Sequence, residues 1–351
     1  MKEVQRQSNF ELLRIVAMAV IVAHHYVVNS TVMDQFAQEG GNSFNYLFLK
    51  LIGAWGKTAI NPFVMISGFF MCTSALTARR FLKIFLEWMF YAFVVYGVLL
   101  VFGFERCSSR RLFYLFFAPF AYVDRGFTHS FLGFYLGIPF YNLIIKNTDG
   151  KGLYLLAGGL LALFVLPITF FRNGAVFHHV FWYMTLYFVG ACIRLYPLEW
   201  MGRNKVVVPL LLGGIVVASG AIFGRILYPC FMTKAFGVVA SVHESSTLFA
   251  FVIGAAVFLA FKNLRLGYQP WINTIASCMF GVLCIHAASA AMRFWLWRVV
   301  CRVPDYAYAN LGILALHATC CVVSIIVVCC LIDLARQRWI EKPFFNRFLN
   351  V

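Results

Sequence analysis

The run FELLRIVAMAVIVAHHYV (residues 10–27) decides the fold, because it is long and apolar enough to cross a bilayer as one helix. A bilayer core about 30 Å thick requires about 20 apolar residues in a helix. Working outward from this run, we find ten comparable runs between charged or turn-rich breaks. They lie at residues 10–29, 52–76, 82–104, 129–145, 152–171, 180–196, 206–224, 245–261, 272–292 and 311–333. The sequence therefore predicts an all-α, polytopic integral membrane protein with about ten transmembrane helices.

The composition agrees with a membrane protein. Of 351 residues, 62% are hydrophobic and 12% are charged, against about 25% charged in soluble domains. This composition excludes a disordered chain and a small disulfide scaffold. The net charge of +16 would suggest a nucleic-acid partner for a soluble protein. Since basic residues collect in the cytoplasmic loops of membrane proteins, we expect the lipid bilayer and no nucleic acid as a partner.

The basic residues also orient the chain. An even number of spans puts both termini on one side of the membrane. With the N-terminus in the cytoplasm, the inner segments hold sixteen of the 29 basic residues and the outer segments hold twelve, as the positive-inside rule requires. We expect a plasma-membrane protein with both termini cytoplasmic. The inner residues are Lys2, Arg6, Arg79, Arg80, Lys83, Lys146, Lys151, Arg194, Arg203, Lys205, Lys262, Arg265, Arg336, Arg338, Lys342 and Arg347.

One membrane domain over residues 1–351, without a separate soluble domain, is the simplest organisation. No internal repeat supports an inverted-repeat transporter, and the first run lacks an A-x-A-like cleavage site, so we interpret it as a transmembrane helix. Residues 112–123 are too short to span and predict an interfacial or re-entrant segment. The eleven cysteines lack zinc-site spacing. We interpret them as small buried hydrophobes and predict no metal site.

Ionisable residues inside apolar runs are costly and are functional candidates for that reason. Arg14 and His25 are eleven residues apart, which puts them on one helix face about 16 Å apart along the axis. This spacing suits a site in which a cation holds an anionic donor at the inner end and an imidazole acts deeper in the membrane. His24 points about 100° away and is the weaker candidate. In the alternative interpretation, Arg14 reaches the inner headgroups and His25 bonds to a neighbouring helix.

Other candidates follow from the same rule. Arg79, Arg80 and Lys83 begin the third span and could hold phosphates, although ordinary positive-inside charge explains them equally. Within the second span, Ser67 precedes a glycine that permits close approach of a helix or ligand. His286 lies at a depth similar to that of His25, and Glu87 is a buried carboxylate that could pair with a nearby base.

The first run also resembles the opening of the acyltransferase 3 family of bacterial membrane acyltransferases. That family has an Arg, ten residues and then a His, and Arg14 and His25 fit this spacing. The resemblance continues through FVMISGF (residues 63–69), through FLGFYLGIPFYNLI (residues 131–144) and through GVLCIH (residues 281–286). Ten spans also match the family. One departure is Lys83, where the family often has a second Arg, because Lys keeps the charge but loses the bidentate fork.

The resemblance implies an enzyme, an O-acyltransferase that takes an acetyl group from cytoplasmic acetyl-CoA or another acyl-CoA, with no bound cofactor. The acceptor is then a hydroxyl of a surface or lipid-linked glycan or a small lipophilic molecule. It implies that His25 and Arg14 are catalytic and that Arg79, Arg80 and Lys83 bind the donor. Independently, a hydroxyl acceptor needs a base that works near neutral pH, and histidine is suited to this.

The residues alone do not exclude two other classes of protein. In a multi-pass transporter or flippase, the same charges would line a solute path without covalent chemistry. A silent membrane anchor is the third class, and the number of intramembrane ionisable residues argues against it. The expected outer loops, at residues 30–51, 105–128, 225–244 and 293–310, mix aromatic and basic residues. They would suit a glycan or an anionic lipid carrier.

Overall fold

A computed structural model describes residues 6–38, 44–121, 126–171, 179–227 and 239–348. Every regular element in these ranges is helical. We number the helices as α1 Ser8–Val28, α2 Val32–Gln38, α3 Phe44–Gly53, α4 Gly56–Met71, α5 Ala78–Val101, α6 Ser109–Ala121, α7 Phe127–Leu136, α8 Ile138–Lys146, α9 Gly150–Leu166, α10 His179–Leu195, α11 Asn204–Leu227, α12 Leu248–Lys262, α13 Pro270–Ser277, α14 Met279–His286, α15 Ala290–Phe294, α16 Leu311–Arg336 and α17 Lys342–Phe348.

Five stretches are long and apolar enough to cross a membrane. They are Ser8–Val28, Ala78–Val101, Gly150–Phe171, Asn204–Leu227 and Leu311–Arg347. A sixth is present if Pro270–His286 and Ala290–Val300, which meet at a bend of 97°, form one span. In its described ranges the chain is therefore an all-helical membrane protein with five or six candidate spans. The expected count of ten is not confirmed.

The other expected spans fall on shorter helices. The expected span 52–76 starts in α3 and continues in α4 after a break, and 129–145 is divided between α7 and α8 at Gly137. The span 180–196 corresponds to α10, which has 17 residues, and 245–261 corresponds to α12, which has 15. The expected re-entrant stretch 112–123 lies on α6, and its last two residues fall outside the described ranges.

Helix starts follow local capping chemistry. The Thr77 side chain accepts a hydrogen bond from the Arg80 backbone N–H at the start of α5. The Ser289 hydroxyl accepts one from the Met292 N–H at the start of α15. Such caps satisfy N–H groups that have no partner inside the helix. The Ser289 cap starts a new helix inside the apolar run 272–292, which also has a break between Ser277 and Met279.

Helix α1 lies between the two large hydrophobic clusters of the protein. Near its start, Phe10 and Leu13 pack in one cluster with α4, α7, α10 and α12. Further along, Val22 and Tyr26 pack in the other cluster with α5, α14 and α16. The first half of α1 therefore packs in one cluster and the second half packs in the other. The candidate site lies at the end of the second half.

Candidate active site

A cavity of about 520 Å³ lies against the last turn of α1. Its volume is in the range of small-molecule sites. Six helices supply its polar and aromatic lining. Those residues include His24 and His25 from α1, Lys57 from α4, Trp88 from α5, His129 from α7, His179 and Tyr183 from α10, and Arg293 from α15. The expected acid–base residue His25 thus faces a space that can hold a substrate.

His25 is held by a second histidine. Its Nδ1 lies 2.8 Å from Nε2 of His286, the last residue of α14. The Nδ1 of His286 lies 2.6 Å from the carbonyl oxygen of Val282. Both residues are therefore placed at helix C-termini, where the helix dipole favours positive charge. The two candidates that the sequence placed at similar depth are in direct contact.

The tautomers follow from the hydrogen bonds. A carbonyl oxygen only accepts, so Nδ1 of His286 carries the hydrogen and Nε2 of neutral His286 is an acceptor. His25 must then donate from its own Nδ1, which leaves its Nε2 with a free lone pair. No described residue donates a hydrogen bond to this Nε2. His25 is half-buried and lines the cavity, whereas His286 is fully buried behind it.

His24 is fixed in a different way. Its Nδ1 contacts the carbonyl oxygen of Gly53 at 2.5 Å. A Cβ atom on Gly56 would lie 2.3 Å from Cβ of His24, so only glycine fits where α4 passes the ring. Because Nδ1 of His24 is engaged with backbone, His24 packs α1 against α3 and α4 while its side chain still reaches the cavity.

Arg14 does not line the cavity. Its Nη1 lies 2.9 Å from the carboxylate of Glu11, one turn earlier on α1. The guanidinium is 31% exposed and Glu11 is buried. The Tyr135 hydroxyl interacts electrostatically with both Arg14 and Arg80. Arg14 and Arg80 are therefore brought to one end of the protein, about 16 Å from His25 along α1.

The other basic candidates at this end have their own partners. Arg80 donates from Nη1 to the Ala75 carbonyl oxygen at 3.0 Å. The guanidinium of Arg79 lies over the Phe345 ring, with 5.7 Å between its central carbon and the ring centroid. Lys83 Nζ lies 2.7 Å from Glu341. Lys83, where the sequence departs from the expected Arg pair, is thus engaged in an ion pair rather than directed beside Arg80.

The family model described as an acyltransferase domain matches residues 7–334 of this chain. The chain belongs to the acyltransferase 3 family. It is a membrane acyltransferase by that membership and by its apolar helices. No curated protein and no solved structure matches the chain.

The acyltransferase 3 segment around Ser67 has a packing role in this structure. A Cβ atom on Gly68 would lie 2.3 Å from the Tyr187 carbonyl oxygen, and one on Gly190 would lie 2.5 Å from the Met65 carbonyl oxygen. Helices α4 and α10 therefore cross with their backbones in close approach, as the glycine next to Ser67 predicted. Ser67 is half-buried on α4 and is absent from the lining of the His25 cavity.

Glu87 also lies outside the cavity of this acyltransferase. The buried guanidinium of Arg336 lies 3.3 Å from Glu87, 2.8 Å from Asp333 and 2.7 Å from Glu341. The Tyr91 hydroxyl donates to Asp333 at 2.7 Å. Glu87 is therefore one member of an ion-pair cluster that joins α5 to the end of α16. The expected basic partner of Glu87 is Arg336.

Four ionisable cavity residues of the acyltransferase were missed in the sequence. They are Lys57, His129, His179 and Arg293. The rule that selected His25 applies equally to His129, the first residue of the expected span 129–145. Lys57 and Arg293 could have been found as basic residues close to the ends of expected spans. His179 lies one residue before an expected span and carries no comparable signal.

Proposed function

We propose that this membrane acyltransferase moves an acetyl group from cytoplasmic acetyl-CoA to a hydroxyl of a surface or lipid-linked glycan. The observation that carries the proposal is the free Nε2 of His25, which faces the cavity while its Nδ1 is held by His286. A fixed imidazole with one open nitrogen is the arrangement that general-base catalysis requires.

The proposed reaction requires two substrates, the acceptor hydroxyl and acetyl-CoA, together with His25. Nε2 of His25 takes the proton of the acceptor hydroxyl, and the oxygen attacks the acetyl carbonyl carbon. The new C–O bond forms as the C–S bond to CoA breaks, and the imidazolium returns its proton to the leaving thiolate. In the second form of the mechanism, the same Nε2 attacks the acetyl group first and carries it as an acyl-imidazole. Proton transfer of this kind contributes about 10²–10⁴-fold.

The donor is proposed to bind at the Ser8 end of α1. Arg14, Arg79, Arg80 and Lys83 collect there, and phosphate groups favour arginine forks and lysine. Because this end lies about 16 Å from His25, the phosphates of CoA and the reacting thioester would occupy opposite ends of the donor site. No metal or bound cofactor takes part in the proposed reaction.

The proposed topology follows from the charges. One membrane domain with ten spans and cytoplasmic termini would put the Ser8 end of α1 inside the cell and the Val28 end outside. The protein would then lie in the plasma membrane, with its donor cations facing cytoplasmic acetyl-CoA. His25 would act more than halfway across, where an outer glycan can meet the acetyl group.

The test is acetyl transfer by cells in which the gene is deleted and replaced by variants. With labelled acetyl donor, the wild-type protein should restore label in the envelope glycan, and His25→Ala should not. His243→Ala is the matched control, because His243 is exposed and does not line the cavity. Full-length protein abundance must be equal in all strains. If His25→Ala at normal abundance restores as much label as the wild-type protein, the proposal is wrong.

A second measurement separates the enzyme from a transporter. Purified protein in lipid vesicles should consume acetyl-CoA, and His25→Ala should lower this consumption. A pure transporter has no reason to consume acetyl-CoA. To separate the two forms of the mechanism, the protein is incubated with labelled acetyl-CoA, and one portion is quenched before acceptor is added. Acetyl label on the protein that His25→Ala abolishes indicates the acyl-imidazole. Its absence, when acceptor added to the remaining portion is acetylated, indicates the general base.

A further inference from the structure

A second cavity at the Val28 end of α1 adjoins the His25 cavity. The second cavity has a volume of about 680 Å³. Val28, Asn29 and Arg293 line both cavities. The two cavities therefore share one wall, and a molecule in the second cavity would lie next to the His25 cavity. Under the proposed topology, this second cavity lies on the outer side, where the glycan acceptor arrives.

The walls of both cavities are cationic. Lys57, Arg293 and Arg298 supply the charges, and no Asp or Glu is among the described residues that line either cavity. Among the described residues, Arg293 and Arg298 have no salt bridge, although Arg298 stacks over the Phe294 ring at 4.9 Å. Lys57 reaches Glu244 at 3.6 Å, with both side chains about one-third exposed. A surface with this excess of positive charge favours an anionic ligand.

Two buried hydrogen-bond donors in the second cavity lack acceptors. Nε of Arg298 and Nδ2 of Asn29 are buried and make no hydrogen bond with any described residue. Buried donors are normally paired, and each exception requires an explanation. An oxyanion in the second cavity would neutralise the arginines and give both side chains an acceptor. A third cavity, which shares Gly103 and Phe104 with the second, contains Arg111. Arg111 is already paired with Glu105 at 3.4 Å and is therefore less available to a ligand.

The local backbone brings the two arginines to one wall. Residues Trp295–Val300 form a π-helix, and the Cys301 N–H bonds to the Leu296 carbonyl oxygen five residues earlier. Five-residue bonding moves residues that are five apart toward the same face, whereas in an α-helix they would be about 140° apart. Arg293 and Arg298 are five apart and both line the second cavity. Such π-helical turns are frequent at functional sites.

We propose that the second cavity binds an anionic group of the acceptor, a carboxylate or phosphate, and thereby directs the acceptor hydroxyl toward Nε2 of His25. Arg293, Arg298 and Asn29 are the binding residues. This inference rests on the proposed function and names the substrate class: the glycan acceptor is anionic. The negative group belongs either to the glycan itself or to the phosphate of its lipid carrier.

The test follows the labelled acetyl group into the envelope glycan of the complemented deletion strain. The labelled material is separated by anion exchange before and after mild acid, which releases glycan from a lipid diphosphate. If the anion-exchange column retains the labelled material in both runs, the negative charge belongs to the glycan. If the column retains it only before acid, the charge belongs to the lipid carrier. Each result supports the proposal. If the label is found only in neutral material in both runs, the anion-site proposal is wrong. If the wild-type protein gives no label at all, the acyltransferase proposal on which the anion site rests is wrong.

Variants test the residues themselves. We expect Arg293→Gln and Arg298→Gln each to lower label at least about tenfold, and Arg298→Lys, which keeps the charge, to recover part of it. Arg302→Gln is the matched control. Arg302 is 70% exposed, pairs with Asp305 and lines neither cavity, so its label should stay within about twofold of wild type. Equal label from Arg298→Gln and wild type, at equal abundance, also overturns the proposal.

A binding measurement on the purified full-length protein does not depend on turnover. The probes are trigalacturonate for carboxylate, glucose 6-phosphate for phosphate and maltotriose as the neutral control. The thermal midpoint should rise with at least one anionic probe and not with maltotriose, because a ligand that binds only the folded state stabilises it. The rise should disappear in Arg293→Gln. An equal rise with maltotriose would contradict an anion site.

Discussion

His286 is predicted to set the rate of acetyl transfer without touching a substrate. In His286→Ala, the His25 ring loses the acceptor that lies 2.8 Å from its Nδ1 and can turn away from the productive direction. The bond becomes charge-assisted when His25 takes the proton, and hydrogen bonds to charged groups contribute about 1.5–3 kcal/mol. Since about 1.4 kcal/mol is a tenfold change in rate, we expect kcat to fall about 10- to 150-fold.

The assay is steady-state acetyl transfer in envelope vesicles with acetyl-CoA varied. The KM for acetyl-CoA should stay unchanged in His286→Ala, because the donor cations lie at the opposite end of α1. His286→Gln should recover part of the rate, since its amide oxygen can accept from Nδ1 of His25. Combining His286→Ala with His25→Ala should cost little more than His25→Ala alone, because the two residues act as a unit.

Two results would refute this reasoning. One is a wild-type kcat in His286→Ala, which would show that the position of His25 does not depend on the hydrogen bond. The other is a double variant whose loss equals the product of the two single losses, which would show that the histidines act independently. Thermal midpoints of the purified variants must accompany the rates, because His286 is fully buried and its truncation leaves a cavity.

Three further predictions concern packing, charge and the donor. Gly68→Ala puts a Cβ 2.3 Å from a backbone oxygen of α10 and should cost about 1–3 kcal/mol. Gly97→Ala, inside α5 with no atom within 4 Å, should not destabilise the protein, because alanine favours a helix more than glycine does. Thermal unfolding compares the two variants. Arg336→Met leaves the buried carboxylates of Glu87 and Asp333 without their cation and should cost about 3–5 kcal/mol in the same assay. Arg14→Ala should raise the KM for acetyl-CoA more than it lowers kcat, and an unchanged KM would contradict its role at the donor.

The sequence predicts the helical class and the identity of α1 because apolar length is a local property. Run length does not report where a helix bends. The expected span 272–292 contains the Ser289 cap and a bend of 97°, and the expected span 129–145 breaks at Gly137. In both cases hydropathy continues through a break that is set by capping and by tertiary packing. This is why element type was predictable and the span count was not confirmed.

The candidate site was predictable residue by residue but not as a group. His25 and His286 each violate the rule that ionisable side chains avoid apolar runs, and so each could be selected alone. Their contact joins positions 261 apart in the chain, and nothing local specifies which helices are neighbours. The same limit applies to Glu87, whose partner Arg336 comes from another helix. Lys57 and Arg293 resemble ordinary end-of-span basic residues until the cavity is seen.

The bend after α14 gives the site its cation. In a continuous α-helix, Arg293 would follow His286 by seven residues and lie about 10.5 Å further along the axis on nearly the same face. Because the chain instead turns by 97° and starts again at Ala290, Arg293 lines the same cavity as His25. The same break therefore ends α14 at His286, which positions His25, and places Arg293 in the cavity wall. An acceptor anion bound to that arginine would lie beside the base that must remove the acceptor's proton.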